Sequence, residues 1–245
     1  MNIKATFQTP EYYQEYINWE VRSSTLKYDN RKDIFFLHVI FRKESPKSSG
    51  DRVLGMDRGI VNIAVCSNNV FFNGKQIKNV RGKYAFLRSK LQSKGTKSAR
   101  RFLRKISRKE KRFVTNINHC ISKIIVKMPY DIFALEDLTS IRVQSRKGKE
   151  FNRKLNNWSF YQLAQFLEYK AEAIGKSIIY IDPRYSSQKC SRCGNIKKSN
   201  RKGNSYHCSC GFDIHADLNA SRNIAQAGIS CLSRLSVNQP NVETA

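Results

Sequence analysis

Two cysteine pairs set the tightest constraint on this chain. Cys190-Ser-Arg-Cys193 and Cys208-Ser-Cys210 fall within one 21-residue stretch, and Gly194 and Gly211 directly follow them. Closely spaced thiolate pairs on tight turns supply four soft ligands for tetrahedral Zn²⁺. Glycine tolerates the sharp turns that such metal knuckles need. The spacing therefore predicts a closed, structural zinc ribbon that ties a loop together without doing chemistry, with His207 or His215 as substitutes for one sulfur. Cys66, Cys120 and Cys231 are scattered in apolar or helical surroundings and read as small buried hydrophobes. Seven cysteines, an odd number with four of them crowded together, do not resemble a secreted disulfide framework.

Charge narrows the partners. The 245 residues carry 45 Lys+Arg against 19 Asp+Glu, a formal net charge of +26, while 40% hydrophobic and 11% aromatic content are ordinary for a folded core. Such an excess disfavours a small neutral metabolite and points to a polyanion, most commonly nucleic acid. No apolar run approaches the roughly 18 residues needed to span a bilayer. The opening MNIKATFQTPEYYQEY lacks a basic segment followed by an apolar one. The expectation is a cytoplasmic protein with no membrane partner.

Patterning gives the organisation. Ile17, Trp19 and Val21 alternate with polar residues, Asp29-Asn30 offers a turn, and 34–41 is an apolar strand, which together predict a β-hairpin. KESPKSSGD at 43–51 is a polar break. Short buried strands follow at 53–57, 60–67 and 70–72. Residues 75–112 hold sixteen Lys/Arg and one acid, Glu110, with apolar residues at helical spacing. Gly95-Thr96 divides this stretch into two helices, the second running to about Met128. A strand at 131–138, a basic loop at 139–157, a helix at 160–175, a strand at 177–182 and a last helix at 216–228 complete the series. Strands alternating with helices after an antiparallel meander predict a mixed α/β sheet with helices on its faces. The tail from Ser230 reads as poorly ordered.

The scarce acids sit at element ends. Asp57 ends the first strand after the break, Glu136 ends DIFALE, and Asp217 opens the last helix. Taken singly, each has an ordinary reading, as a turn residue, a solvated strand end and a helix N-cap. If the two strands are neighbours, however, the three carboxylates converge. Such a cluster repels itself unless a cation compensates, and Mg²⁺ or Mn²⁺ suits an all-oxygen site. Two such ions are the arrangement that cleaves phosphodiesters.

GMDRGIVNIAVCS, IFALEDL, CSRCG…CSCG and HADLNASRNIA, in that order, resemble the RuvC-type nuclease domain and zinc ribbon of TnpB (OrfB) proteins, transposon-encoded RNA-guided DNA endonucleases of prokaryotic mobile elements. The resemblance covers roughly residues 17–228. It implies an RNase H-like fold with Asp57, Glu136 and Asp217 as the catalytic, Mg²⁺-binding acids and Cys190, Cys193, Cys208 and Cys210 as zinc ligands. DNA and a guide RNA are the implied partners. Arg100, Arg101, Arg104, Lys105, Arg108, Lys197 and Lys198 are the expected nucleic-acid contacts. The organisation expected is a remnant of a wedge-like β-domain at 1–50, the nuclease domain at 51–188, the ribbon at 189–211, the last helix at 212–230 and a disordered tail at 231–245. Two departures stand out. Family members carry a longer front part, so this chain reads as N-terminally truncated. Arg58 stands where a small or apolar residue is commoner, which would perturb the first acid's turn. A remnant that binds nucleic acid without cutting, and a basic zinc-ribbon RNA-binding protein, are the alternatives at this point.

Overall fold

The computed structural model describes residues 6, 8–30, 32–46, 50–138 and 160–237. Two compact units emerge, Met1–Pro46 and Lys47–Ala245. In the first, β1 (Glu20–Asp29) pairs antiparallel with β2 (Ile34–Arg42), placing Leu26 opposite Leu37 and Tyr28 opposite Phe35. The hairpin is the one the alternation predicts. A one-residue irregularity between Val21 and Ser23 interrupts the ladder.

The second unit is built on five strands in the order β5-β4-β3-β6-β7. These are β3 (Val53–Asp57), β4 (Asn62–Cys66), β5 (Phe71–Asn73), β6 (Ile132–Glu136) and β7 (Ser177–Ile181). The β3–β4 and β4–β5 pairs are antiparallel, whereas β3–β6 and β6–β7 are parallel, which makes the sheet mixed as expected. β6 is buried along its whole length, matching its near-continuous apolar run. Leu54, Met56, Phe133 and Leu135, alternating along two neighbouring strands, form one face of the core with helices on top of it. These are α1 (Lys75–Lys94), α3 (Lys109–Val126) and α4 (Phe160–Glu172), supplying Ile77, Ile121, Ile125, Leu163 and Leu167.

Periodicity alone runs α2 (Lys97–Ile106) into α3, but the helix breaks at Ser107-Arg108, where Arg108 adopts φ +69°. The break turns Glu110 back onto α1, within 2.7 Å of Arg88 and 3.7 Å of Arg81. The single acid of the cationic stretch thus ties its helices together. Cys66 is buried as expected, whereas Cys120 lies on the outer face of α3 and Cys231 is half-buried. Helical phase explains Cys120, since the next two residues, Ile121 and Ser122, take the buried positions instead.

The opposite face of the sheet is covered by α5, Ala216–Val237. Gly228, expected to end this helix, lies inside it. A Cβ there would stand 2.9 Å from the Ala134 side chain and 3.1 Å from those of Ile179 and Val53. The glycine therefore serves close helix–sheet approach, and the helix continues through residues 231–237 that the sequence reading assigned to the tail. Residues 238–245 and the basic loop 139–157 lie outside the described residues. Gly55 does the same from the sheet side, because its Cβ would stand 2.2 Å from the Ser221 carbonyl oxygen and 2.3 Å from the Ala225 nitrogen. Both neighbours are backbone and cannot rotate away. Gly55→Ala is expected to cost about 3 kcal/mol, read as a fall in Tm of roughly 6–12 °C.

A three-stranded sheet of β8 (Arg201–Lys202), β9 (Ser205–His207) and β10 (Asp213–His215) forms the cysteine-bearing insert. It reaches His215, four residues beyond the expected boundary at 211, because β10 is needed to pair with β9. Among the described residues, no helix is long and apolar enough to cross a membrane.

Candidate active site

The parallel register sets the site. Met56 lies opposite Leu135, so Asp57 and Glu136 leave adjacent strands at the same carboxyl edge. Asp217 is the second residue of α5, inside the first turn and not at the cap, where the helix dipole favours a negative charge. The three acids, from three elements, line one cleft of about 420 Å³ with Arg58 and Arg201.

Each acid has been given a neighbour. Asp217 accepts from Arg201 Nη2 at 2.8 Å and from Asn62 Nδ2 at 2.9 Å. Glu136 is buried and accepts a short bond from the Ser186 hydroxyl. Asp57 is crowded by protein, and this desolvation, followed by the charges of Glu136 and Asp217, pushes its carboxyl up to about 8, against the pull of Arg201 and Arg58. Burial also raises Glu136, opposed by the Ser186 bond and by both arginines. A crowded carboxyl whose proton affinity is raised by burial and by two carboxylate neighbours is the electrostatic setting that a hard divalent cation relieves. The oxygen-only donor set fits such an ion.

Arg58 does not disturb the turn as its size suggested. It is buried, and Nη2 donates to the Glu136 carbonyl, tying the end of β3 to the end of β6. Arg201 is the residue that sequence reasoning missed, since nothing in a basic ribbon loop marks which cation reaches an acid sixteen positions ahead.

The sulfurs of Cys190, Cys193, Cys208 and Cys210 all lie within 4.8 Å of one another; among the described residues no carboxylate cluster closes to that spacing. Cys190–Cys210 is 3.9 Å and Cys193–Cys208 is 3.6 Å. Zn–S bonds of about 2.3 Å imply tetrahedral edges of about 3.8 Å, so the four thiols could hold zinc as they stand. Gly194 and Gly211, both at φ +79°, make the left-handed turns expected after each pair. Neither histidine substitutes for a sulfur. His207 faces Asp213 at 3.0 Å, and His215 Nδ1 accepts the Asp217 N–H at 3.2 Å. Arg100, Arg101, Arg104, Lys105 and Arg108 are exposed on α2 and its end, and Lys197 and Lys198 are exposed on the ribbon. These seven cations are not brought to the acid cleft's lining.

The family model OrfB_IS605, described as a probable transposase, matches residues 26–145, and the model of the Cas12f1-like TNB domain matches residues 160–224. The chain belongs to the TnpB (OrfB) family. The CRISPR-associated endodeoxyribonuclease Cas12f1 of Sulfoacidibacillus thermotolerans is 33% identical over 234 residues, covering 84% of this chain and 53% of that protein. TnpB-like protein MJ0751 of Methanocaldococcus jannaschii is 34% identical over 126 residues, covering 49% and 45% respectively. The chain thus spans about half the length of the curated relatives it matches. A cryo-EM structure of a Cas12f1–sgRNA–target DNA complex superposes with a TM-score of 0.56 at 18% identity, over 85% of this chain and 64% of that one. The fold is therefore the RNase H-like, RuvC-type α/β fold with a zinc-ribbon insert.

Proposed function

We propose that this TnpB-family chain is an RNA-guided DNA endonuclease that hydrolyses phosphodiesters at Asp57, Glu136 and Asp217. One observation carries the reading: three carboxylates from β3, β6 and α5 line a single cleft at the carboxyl edge of the sheet. The three acids would hold Mg²⁺ or Mn²⁺, which when bound supplies charge stabilisation for the attacking and leaving oxygens. The chain's own residues do the rest. Ser186 and Arg58 fix Glu136 and its strand end, and Asn62 orients Asp217. Arg201 holds a positive charge at the cleft, where a scissile phosphate would be met. The four thiolates would hold structural Zn²⁺ and so keep Arg201 in place.

DNA and a guide RNA are the partners, met by Arg100, Arg101, Arg104, Lys105 and Arg108 and by Lys197 and Lys198 on the ribbon. Cytoplasmic, nucleoid-associated action follows from this reading, as does a role for residues 1–50 as part of a wedge-like β-domain. The test is to purify the chain, sequence the RNA that accompanies it, and assay cleavage of DNA complementary to that RNA. Mg²⁺-dependent cleavage supports the reading. Failure to bind RNA, with no cleavage in Mg²⁺ or Mn²⁺, overturns it.

A further inference from the structure

The loop after β7 contributes to two cavities. One is the acid cleft. The other, about 480 Å³, is lined by Tyr185, Lys189, Asn223 and Ile229. Ser186 lines both, and its hydroxyl donates to Glu136, so the second cavity adjoins the site of chemistry.

Tyr185 has a conformation that a tyrosine seldom adopts. Its φ is +63°, in the left-handed region where a Cβ is unfavourable. Its carbonyl accepts from the Gln188 and Lys189 amides, both at 2.9 Å, and these bonds hold the turn. Glycine would meet the backbone demand better, yet the position carries a tyrosine that is 57% exposed. Ile229, also in the cavity wall, is 51% exposed. Two exposed apolar surfaces facing one cavity favour a flat apolar partner. The wall also holds an unpaired acceptor. Asn223 is 6% exposed and donates Nδ2 to the Ser186 and Lys189 carbonyls, while its buried Oδ1 has no hydrogen-bond partner among the described residues. That oxygen lies out of reach of solvent, while Lys189 in the wall supplies a cation suited to a phosphate.

We propose that this cavity takes one base of the nucleic-acid strand whose backbone lies in the acid cleft, with Tyr185 as its stacking platform. The inference rests on the nuclease reading above. Stacking on a ring tolerates any base, so the pocket grips the strand at a fixed distance from the cut without selecting sequence.

Single-stranded DNA oligonucleotides, each with one 2-aminopurine at a different position, test this in Ca²⁺ against wild type, Tyr185→Phe and Tyr185→Gly. Wild type is expected to quench one position selectively, and Tyr185→Phe to keep that signal. Tyr185→Gly is expected to lose it and to bind roughly 5- to 100-fold more weakly. Its Tm should equal or exceed that of wild type, because glycine relieves the left-handed strain. Undiminished binding and quenching in Tyr185→Gly would overturn the pocket alone. So would equal losses in Tyr185→Phe and Tyr185→Gly, or a lowered Tm accompanying the lost signal. A wild type that binds no strand even at low salt would overturn the nuclease reading as well.

Discussion

Asp57→Ala is expected to lower DNA cleavage by at least about a thousandfold, roughly 4 kcal/mol of transition-state stabilisation, while nucleic-acid affinity stays near that of wild type. The two readouts separate because different surfaces serve them. On the proposed function, cutting would need the three carboxylates of the cleft, whereas holding the strand would fall to the exposed cations of α2 and the ribbon. Stability should move in the opposite direction from activity. The Asp57 carboxyl is raised to about 8 in the folded protein, well above its ordinary value of 3.8, chiefly by burial and then by Glu136 and Asp217. A folded state that binds the proton more tightly than the unfolded state loses stability as pH rises between those two values. In Mg²⁺-free buffer at pH 8, Asp57→Asn should therefore melt several degrees above wild type, and the gap should close by pH 4. Thermal melts across that range check the sign, with zinc left in place throughout.

Stripping the thiolate site should have the second large effect. Structural zinc of this type contributes about 10–16 kcal/mol of apparent binding free energy near pH 7, comparable to the whole stability of a domain. The insert has little apolar core of its own, mainly Tyr206 with Phe212 and Ile214, packed with Cys190 and Cys208 and against Ala216 of α5. Its anchors to α5 are polar. Asn219 Oδ1 accepts from the Ser191 N–H at 2.9 Å, and Asn219 Nδ2 and Gln226 Nε2 donate to the Lys189 and Ser191 carbonyls at 2.7 and 3.0 Å. Without the metal, residues 190–215 should unfold locally and become protease-sensitive, while the five-stranded sheet still melts cooperatively. Arg201 would leave Asp217, and cleavage should fall at least about a hundredfold. Cys208→Ser should reproduce the chelated state. Limited proteolysis with mass mapping, alongside a zinc assay, gives the readout; an equally resistant metal-free chain would rule out the structural role.

Local chemistry was legible in the sequence wherever it depends on spacing. The cysteine knuckles, the strand that ends at Asp57 and the one that ends at Glu136 follow from residues a few positions apart. What was not legible depends on contacts between distant segments. Asn62 reaches Asp217 across 155 positions, and Arg58 reaches the Glu136 carbonyl across 78. The helix break at Ser107-Arg108 goes with the pairing of Glu110 to Arg81 and Arg88 on α1, a contact that no periodicity encodes. Gly228 read as punctuation because a glycine's usual role near a helix end is conformational. Here its role is steric, set by Ala134, Ile179 and Val53 from the sheet. The charge of +26 predicts a polyanion but cannot say which cation faces the acids.

On the proposed function, Asp57, Glu136 and Asp217 form one divalent-metal site. Calorimetric titration of Mn²⁺ into the zinc-loaded chain at pH 8, compared with Asp57→Asn and Asp217→Asn, tests it directly. Saturable binding is expected in wild type, and it should be lost or weakened at least tenfold in either variant. Equal binding in all three proteins would contradict it.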